Sequence, residues 1–292
     1  MKRRAFLAAA MVLALPAGAE AAQRFGEGLL WRIENPGVEP SHVFGTLHAG
    51  DPRLAPLPGA VLEAFAGARV LMLEYFADAY ARERFLEAAM YLDHRSLEQA
   101  IGHEDFERAV AALAPIGLSR EFIRKVKPWG VLLNLRMSRQ PSGATPPDAQ
   151  LYALARERRM AVSQIEHVEE QVFTFDEMSM GAQVALVKHF LAHRDELDVL
   201  AERTLQAYLA RDLRGLWDAQ QDHARRHPEI ATAHAELMKR VVLDRSVVMA
   251  FRMQRELRRG RAFVAVGALH LFGPKGVLAL LEEDGYAARR LY

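Results

Sequence analysis

Four short apolar runs stand out along the chain: Ser41-His42-Val43-Phe44, Arg69-Val70-Leu71-Met72-Leu73, Ala161-Val162-Ser163-Gln164-Ile165 and Ala262-Phe263-Val264-Ala265-Val266. Each is brief and carries β-branched or aromatic residues, the pattern of a buried strand. Between them lie long segments rich in Ala, Leu, Glu and Arg, with apolar residues at helical spacing, as in 77–91, 106–113 and 184–209. Strands separated by helices need crossover connections, so the pattern predicts an α/β fold with a small, mainly parallel sheet. Helix should outweigh strand, with much of 78–160 and 171–260 forming an extensive helical cap. The stretch 140–147, rich in Pro, Ser and Gly, reads as an exposed loop between helices rather than a domain linker.

The first and last runs share more than hydrophobicity. Val43-Phe44-Gly45-Thr46-Leu47-His48 is echoed by Ala265-Val266-Gly267-Ala268-Leu269-His270, and Pro58-Gly59-Ala60-Val61-Leu62 by Pro274-Lys275-Gly276-Val277-Leu278. Each copy reads strand, Gly-x-x-His, loop and proline-started helix. An approximate internal repeat of such units within one sheet would bring the two histidines together.

The N-terminus follows a different pattern. Met1-Lys2-Arg3-Arg4 leads into an apolar stretch, 5–15, and then small residues through Ala22. The basic start, an apolar run short of the ~20 residues of a bilayer span, and Ala-x-Ala sites predict a cleaved signal peptide, 1–21, followed by one domain, 22–292. Arg3-Arg4-Ala5-Phe6-Leu7 resembles the core of a twin-arginine signal, but two basic residues open ordinary secretory signals as well, and the general secretory route is the expectation. The protein should then be periplasmic or secreted, with no stable membrane anchor after cleavage. Losing Lys2, Arg3, Arg4 and Glu20 takes the formal charge from +1 to −1, which leaves no electrostatic footprint for nucleic acid. The chain has no cysteine, which excludes disulfides, thiolate ligands and a cysteine nucleophile. No Gly-x-Ser-x-Gly, P-loop or Gly-x-Gly-x-x-Gly motif is present.

The candidate chemistry lies where the strands end, because open parallel sheets bind ligands beyond the carboxyl ends of their strands. His48 and His270 follow the first and fourth runs, and Glu74 and Glu166 end the second and third. Two imidazoles with one or two carboxylates suit a borderline divalent ion such as Mn, Co, Fe or Zn. A glycine before each histidine would let the backbone turn at the strand end. Two further pairs share i, i+4 spacing. His189 and His193 lack the glutamate of a zinc-peptidase helix and read as surface or groove lining. His227 precedes Pro228, so the pair His223 and His227 reads as helix-end capping or exposure.

Together these residues resemble the TraB/GumN family, which is related to the Tiki metalloproteases. The opening, Trp31-Arg32-Ile33-Glu34 followed by Ser41 to His48, is similar to that family's start; Phe263 to Leu271, Gly276-Val277-Leu278 and Gly285-Tyr286 are similar to its end. Lys127-Pro128-Trp129, Asp148 before Leu151, Glu166 with Glu170-Gln171, and Asp244-Arg245 add internal matches. The resemblance implies an α/β core whose Gly-x-x-His histidines and acidic residues hold a catalytic divalent metal, Mn or Co foremost. Carried over position by position, it makes His48, Glu74 and His270 the metal ligands and Arg245 a substrate or transition-state contact. Many relatives have Asn after that arginine, where this chain has Ser246.

The expected activity is hydrolysis of a peptide or amide bond by metal-activated water, with Glu74 or Glu166 accepting the proton and Arg245 steadying the oxyanion. The expected partner is thus a peptide or small-molecule substrate. The alternative is a non-catalytic cell-envelope binding or accessory protein that uses the same fold to sequester a peptide or assist polysaccharide export.

Overall fold

A computed structural model describes residues 24–76, 78–137 and 143–292. The signal-peptide segment and part of the 140–147 loop therefore lie outside the described residues. The sheet has six strands, β1 (Leu30–Glu34), β2 (Ser41–Thr46), β3 (Val70–Leu73), β4 (Ala161–Gln164), β5 (Ala262–Gly267) and β6 (Ala287–Arg290), in the order β4-β3-β5-β2-β1-β6. The pairs β4-β3, β3-β5 and β5-β2 are parallel, and β2-β1 and β1-β6 are antiparallel. The four strands expected from the apolar runs are the four parallel ones. β1, largely buried, and β6, of which only Ala288 is buried, extend the sheet on one side as a hairpin and a returning edge strand. The closing of that edge includes Leu29 and Leu30 N–H groups donating to the Tyr292 carbonyl at 2.6 and 3.0 Å.

Burial explains the order. β5 is buried over all but its last residue, as a strand covered on both faces must be. Phe263 meets Phe65 edge-on at 5.4 Å, and the sheet core continues through Val264, Leu278 and Met249. The helix Arg245–Leu257 turns Met249, Met253 and Leu257 into this core at four-residue spacing, an amphipathic stripe. The two echoing runs lie side by side as β2 and β5, but the expected internal repeat is not confirmed, because the connections after them differ. Helix Gly59–Ala66 leads to parallel β3, whereas Val277–Glu283 leads to antiparallel β6.

The helical cap has a hydrophobic centre of its own, built on residues such as Phe106, Ile123, Val131, Leu186 and Ile230. The segment expected as one helix over 184–209 is two, Met180–Ala192 and Arg194–Leu209, broken at His193. Trp129 sits in the first turn of Pro128–Met137, where proline is well tolerated. Its indole N–H donates to Asp176 at 2.8 Å, Lys127 pairs with the same carboxylate at 2.7 Å, and the ring stacks on Phe175.

Truncating Phe263 to Ala should destabilise the protein by about 3–5 kcal/mol, since it empties a fully buried site on the central strand. Phe251→Ala, at a side chain 74 % exposed, should stay within about 0.5 kcal/mol. Urea unfolding of the two variants measures the contrast.

Candidate functional site

The parallel strands end in register: Leu73 pairs with Gln164 and with Ala265, and Thr46 with Gly267. The residues just beyond them therefore share one rim of the sheet. Glu74 lies at the centre. Its Oε1 accepts the Gly267 N–H at 2.5 Å and stands 3.7 Å from His48 Nε2 and 3.9 Å from His270 Nε2. Its Oε2 accepts from Arg245 Nη2 at 2.6 Å. The same nitrogen donates to Glu166 Oε2 at 2.7 Å, and Arg245 Nε reaches both Glu166 oxygens at 3.1 and 3.2 Å. Gln171 completes the Glu166 shell with a 2.8 Å bond. All five expected site residues are thus in one cluster, with Glu74, Glu166, His270 and Arg245 buried.

Arg245 and Ser246 enter from the cap, at the end of a π-helical turn, Lys239–Asp244. Such widened turns occur often at functional sites. Here it leaves the Val241 and Val242 carbonyls to accept from Arg245 Nη1 at 3.2 Å and Ser246 Oγ at 2.7 Å.

The tautomers follow from the hydrogen bonds. Ser246 spends its one O–H on Val242, so its 2.9 Å contact with His270 Nδ1 requires that nitrogen to be the donor. His270 Nε2 then carries a bare lone pair toward Glu74. His48 presents the same two atoms, Nδ1 3.3 Å from Asp148 Oδ1 and Nε2 toward Glu74, but a carboxylate at each nitrogen favours its doubly protonated form. A ligating histidine typically donates its second ring N–H to such a partner. Asp148, known from the sequence only as a point of family resemblance, is therefore a site residue. Ser246, the departure from that resemblance, also has a place: it orients His270.

Both glycines of the paired motifs have ordinary backbone angles, since neither is among the positive-φ residues and Gly267 has φ −54°. The expectation that they bend the chain is corrected: they provide close approach. A Cβ on Gly45 would come within 2.8 Å of the Leu271 side chain and 3.1 Å of Ala268, whose turn carries His270. A Cβ on Gly267 would stand 3.2 Å from Glu74 Oε1, 3.5 Å from His270 Cδ2 and 3.8 Å from His48 Nε2.

The electrostatics are polarised. Burial alone would raise the Glu74 carboxyl, but Arg245, together with His48 and His270, holds it well below the usual carboxylate range. Burial pushes Glu166 up despite Arg245, and lowers His270 to about 4 against the pull of Glu74. His48, whose ring is half exposed, is raised to about 10: desolvation opposes protonation, but Asp148 and Glu74 overcome it.

The donor types suit a divalent cation. Ligands of a tetrahedral ion with ~2.1 Å bonds stand about 3.4 Å apart; each histidine is within a few tenths of an ångström of that from Glu74, at 3.7 and 3.9 Å, but the three ligand atoms do not all lie within 4.8 Å of one another, so a shared ion would draw the two histidines together. The atoms meet over Gly267, where the missing Cβ leaves room. The exposed side of His48 leaves an approach from solvent.

A model of the TraB/PrgY/gumN family matches residues 29–290. The chain belongs to this family. The match runs from the residue before β1 to the last residue of β6, and so takes in the whole sheet and every residue of the rim cluster. No curated protein and no solved structure matches the chain.

The other histidine pairs depart from their sequence reading. His193 and His227 do end helices, but His189 and His223 are only 4 % and 2 % exposed, and all four rings are packed together. Spacing within each helix was visible in the sequence; the contact between two helices more than thirty residues apart was not.

Ser246→Ala removes the acceptor that orients His270 and should weaken divalent-metal binding by about 10- to 100-fold. Gly267→Ala, which places a methyl among the three candidate ligands, should weaken it at least as much, with little change in metal-free melting temperature. Calorimetric titration with Mn²⁺ and Co²⁺ after chelator treatment, beside thermal melts, checks both.

Proposed function

We propose that this protein is an exported metal-dependent hydrolase that cleaves a peptide or amide bond, with its divalent ion, Mn or Co foremost, held by His48, Glu74 and His270. The observation that carries this reading is the convergence of two imidazole Nε2 atoms and one carboxylate oxygen toward a space kept free by Gly267, with an incoming cation taking the place of the His48 proton. When bound there, the ion would lower the pKa of water toward ~7 and polarise a scissile carbonyl.

The remaining steps belong to the chain's own residues. Ser246 fixes the His270 imidazole with its Nε2 inward, and Asp148 stands 3.3 Å behind His48 Nδ1. Arg245 holds Glu74 ionised and ties it to Glu166. Glu166, whose pKa burial raises, is the carboxylate here better suited to take up and return a proton. Arg245 has one N–H left on Nη1, and together with Glu166, Phe173 and Val248 it lines a shallow cleft. A substrate carbonyl lying in that cleft could meet the guanidinium as charge develops.

Export is proposed from the sequence of residues 1–21. Among the described residues, no helix is long and apolar enough to cross a membrane.

The protein from Ala22 onward, stripped and reloaded with Mn²⁺, Co²⁺ or Zn²⁺, should cleave members of a quenched-fluorescent peptide library. His48→Ala and His270→Ala should each lower kcat/KM by about a thousandfold or more while the circular dichroism spectrum stays unchanged. Full activity in either variant sinks the mechanism. Metal binding without turnover on any peptide would instead favour a non-catalytic envelope binding protein on the same fold.

A further inference from the structure

No residue of the rim cluster takes part in a second concentration of histidines. His189 lies near the end of Met180–Ala192 and His193 caps that helix; His223 lies near the end of Leu213–Arg226 and His227 caps it. His189 and His223 face each other with Nε2 atoms 3.0 Å apart. The His227 ring stands 4.5 Å from that of His189 and 4.9 Å from that of His223, and His193 stacks on His189 at 4.3 Å. One nitrogen each of His189, His223 and His227 falls within 4.8 Å of the others.

Hydrogen bonding alone leaves this cluster incomplete. Only one of the two facing Nε2 atoms can carry the proton of their contact. The Nδ1 atoms of His189 and His223 are buried without a hydrogen-bond partner, and buried polar groups are rarely left so. If His189 Nε2 is the donor, its bare Nδ1 faces the Glu229 carboxylate, 3.3 Å away, with no proton between them. If His223 is the donor, its own Nδ1 is a buried lone pair with nothing to accept from. A cation resolves the facing pair: both Nε2 lone pairs point at the ion, and the His189 Nδ1–H is turned toward Glu229, the outer carboxylate that a ligating histidine usually has.

The charge balance agrees. His189 and His223 are buried among neighbouring imidazoles, a setting that disfavours a charged ring on either. Glu196 contacts His227 Nε2 at 2.7 Å and Glu229 contacts its Nδ1 at 3.2 Å; the ion would take the place of one carboxylate at the ring, and the other would remain behind the ligand. The 3.0 Å separation of the Nε2 atoms is close to the edge of a tetrahedral site. An all-imidazole set with carboxylates behind it suits zinc and its neighbours rather than the hard cations.

We propose that His189, His223 and His227 form a second metal site, for Zn²⁺ or a similar borderline divalent ion, with Glu229 and Glu196 as the carboxylates that orient and balance it. The site joins Met180–Ala192, Leu213–Arg226 and the turn Pro228–Ile230, and so acts as a clip across the helical cap. It shares no ligand with the rim cluster.

The test uses the whole protein bearing His270→Ala, which removes a rim ligand, stripped with chelator and titrated with Co²⁺ and Zn²⁺. One Co²⁺ per chain should bind with the intense visible absorption of a tetrahedral nitrogen site, and one Zn²⁺ should displace it and raise the melting temperature by several degrees. Adding His223→Gln or His227→Gln should weaken binding at least 100-fold and abolish the zinc-dependent rise. His227→Gln, at the partly exposed edge, keeps the test decisive if the buried substitution unfolds the metal-free chain. Absence of Co²⁺ absorption in the His270→Ala protein, or binding that survives both substitutions, overturns the proposal.

Discussion

The arrangement of the rim rests on one buried guanidinium. Strands β3 and β4 are neighbours in parallel register, so the residues that follow them, Glu74 and Glu166, bring two carboxylates to the same desolvated edge. Arg245 answers both at once, at 2.6 and 2.7 Å. A contact ion pair is worth about 4 kcal/mol at an effective dielectric of 20, while desolvating each ion costs several kcal/mol. The two nearly cancel, so the triad contributes little net stability. Its value is positional: it fixes which oxygen of Glu74 faces Arg245 and which faces the histidines. The π-helical turn before Arg245 and the missing Cβ at Gly267 are the local departures that let this geometry close.

The cap and the sheet are separate hydrophobic clusters, yet the rim draws on both. His48, Glu74, Glu166 and His270 come from strand ends, and Arg245 and Ser246 from the junction where the cap returns toward the sheet. A movement of the cap would therefore shift the guanidinium and the serine relative to ligands held by the sheet. Polar contacts such as the Trp129 and Lys127 bonds to Asp176 hold the cap's helices to one another.

Much of this was legible in the sequence because two short-range rules suffice for it. Brief β-branched runs marked the four parallel strands, and the polar residues at their ends marked His48, Glu74, Glu166 and His270. β1 and β6 were not identified as strands: Trp31-Arg32-Ile33-Glu34 mixes charge into a half-buried pattern, and Ala287-Ala288-Arg289-Arg290 has no apolar run at all. Asp148 and Ser246 were visible as residues but not as partners, because each meets its histidine across a long stretch of chain. The glycines were noticed for the wrong reason, since sequence cannot tell a bend from a close approach. Least legible was the packing of His189 against His223, which depends on how two cap helices cross.

The strand order has a bearing on how the molecule is made. β5 is the central strand, yet it begins only at Ala262. Before it is in place, β3-β4 and β1-β2 are two unconnected pairs, neither wide enough to be stable alone. His270 and the outer strand β6 arrive later still. A chain emerging from its N-terminus thus has no sheet to close upon until nearly all of it is synthesised, and closure depends on contacts between distant parts of the chain, the condition for slow folding. The sheet's order of appearance makes its closure one of the last events of synthesis.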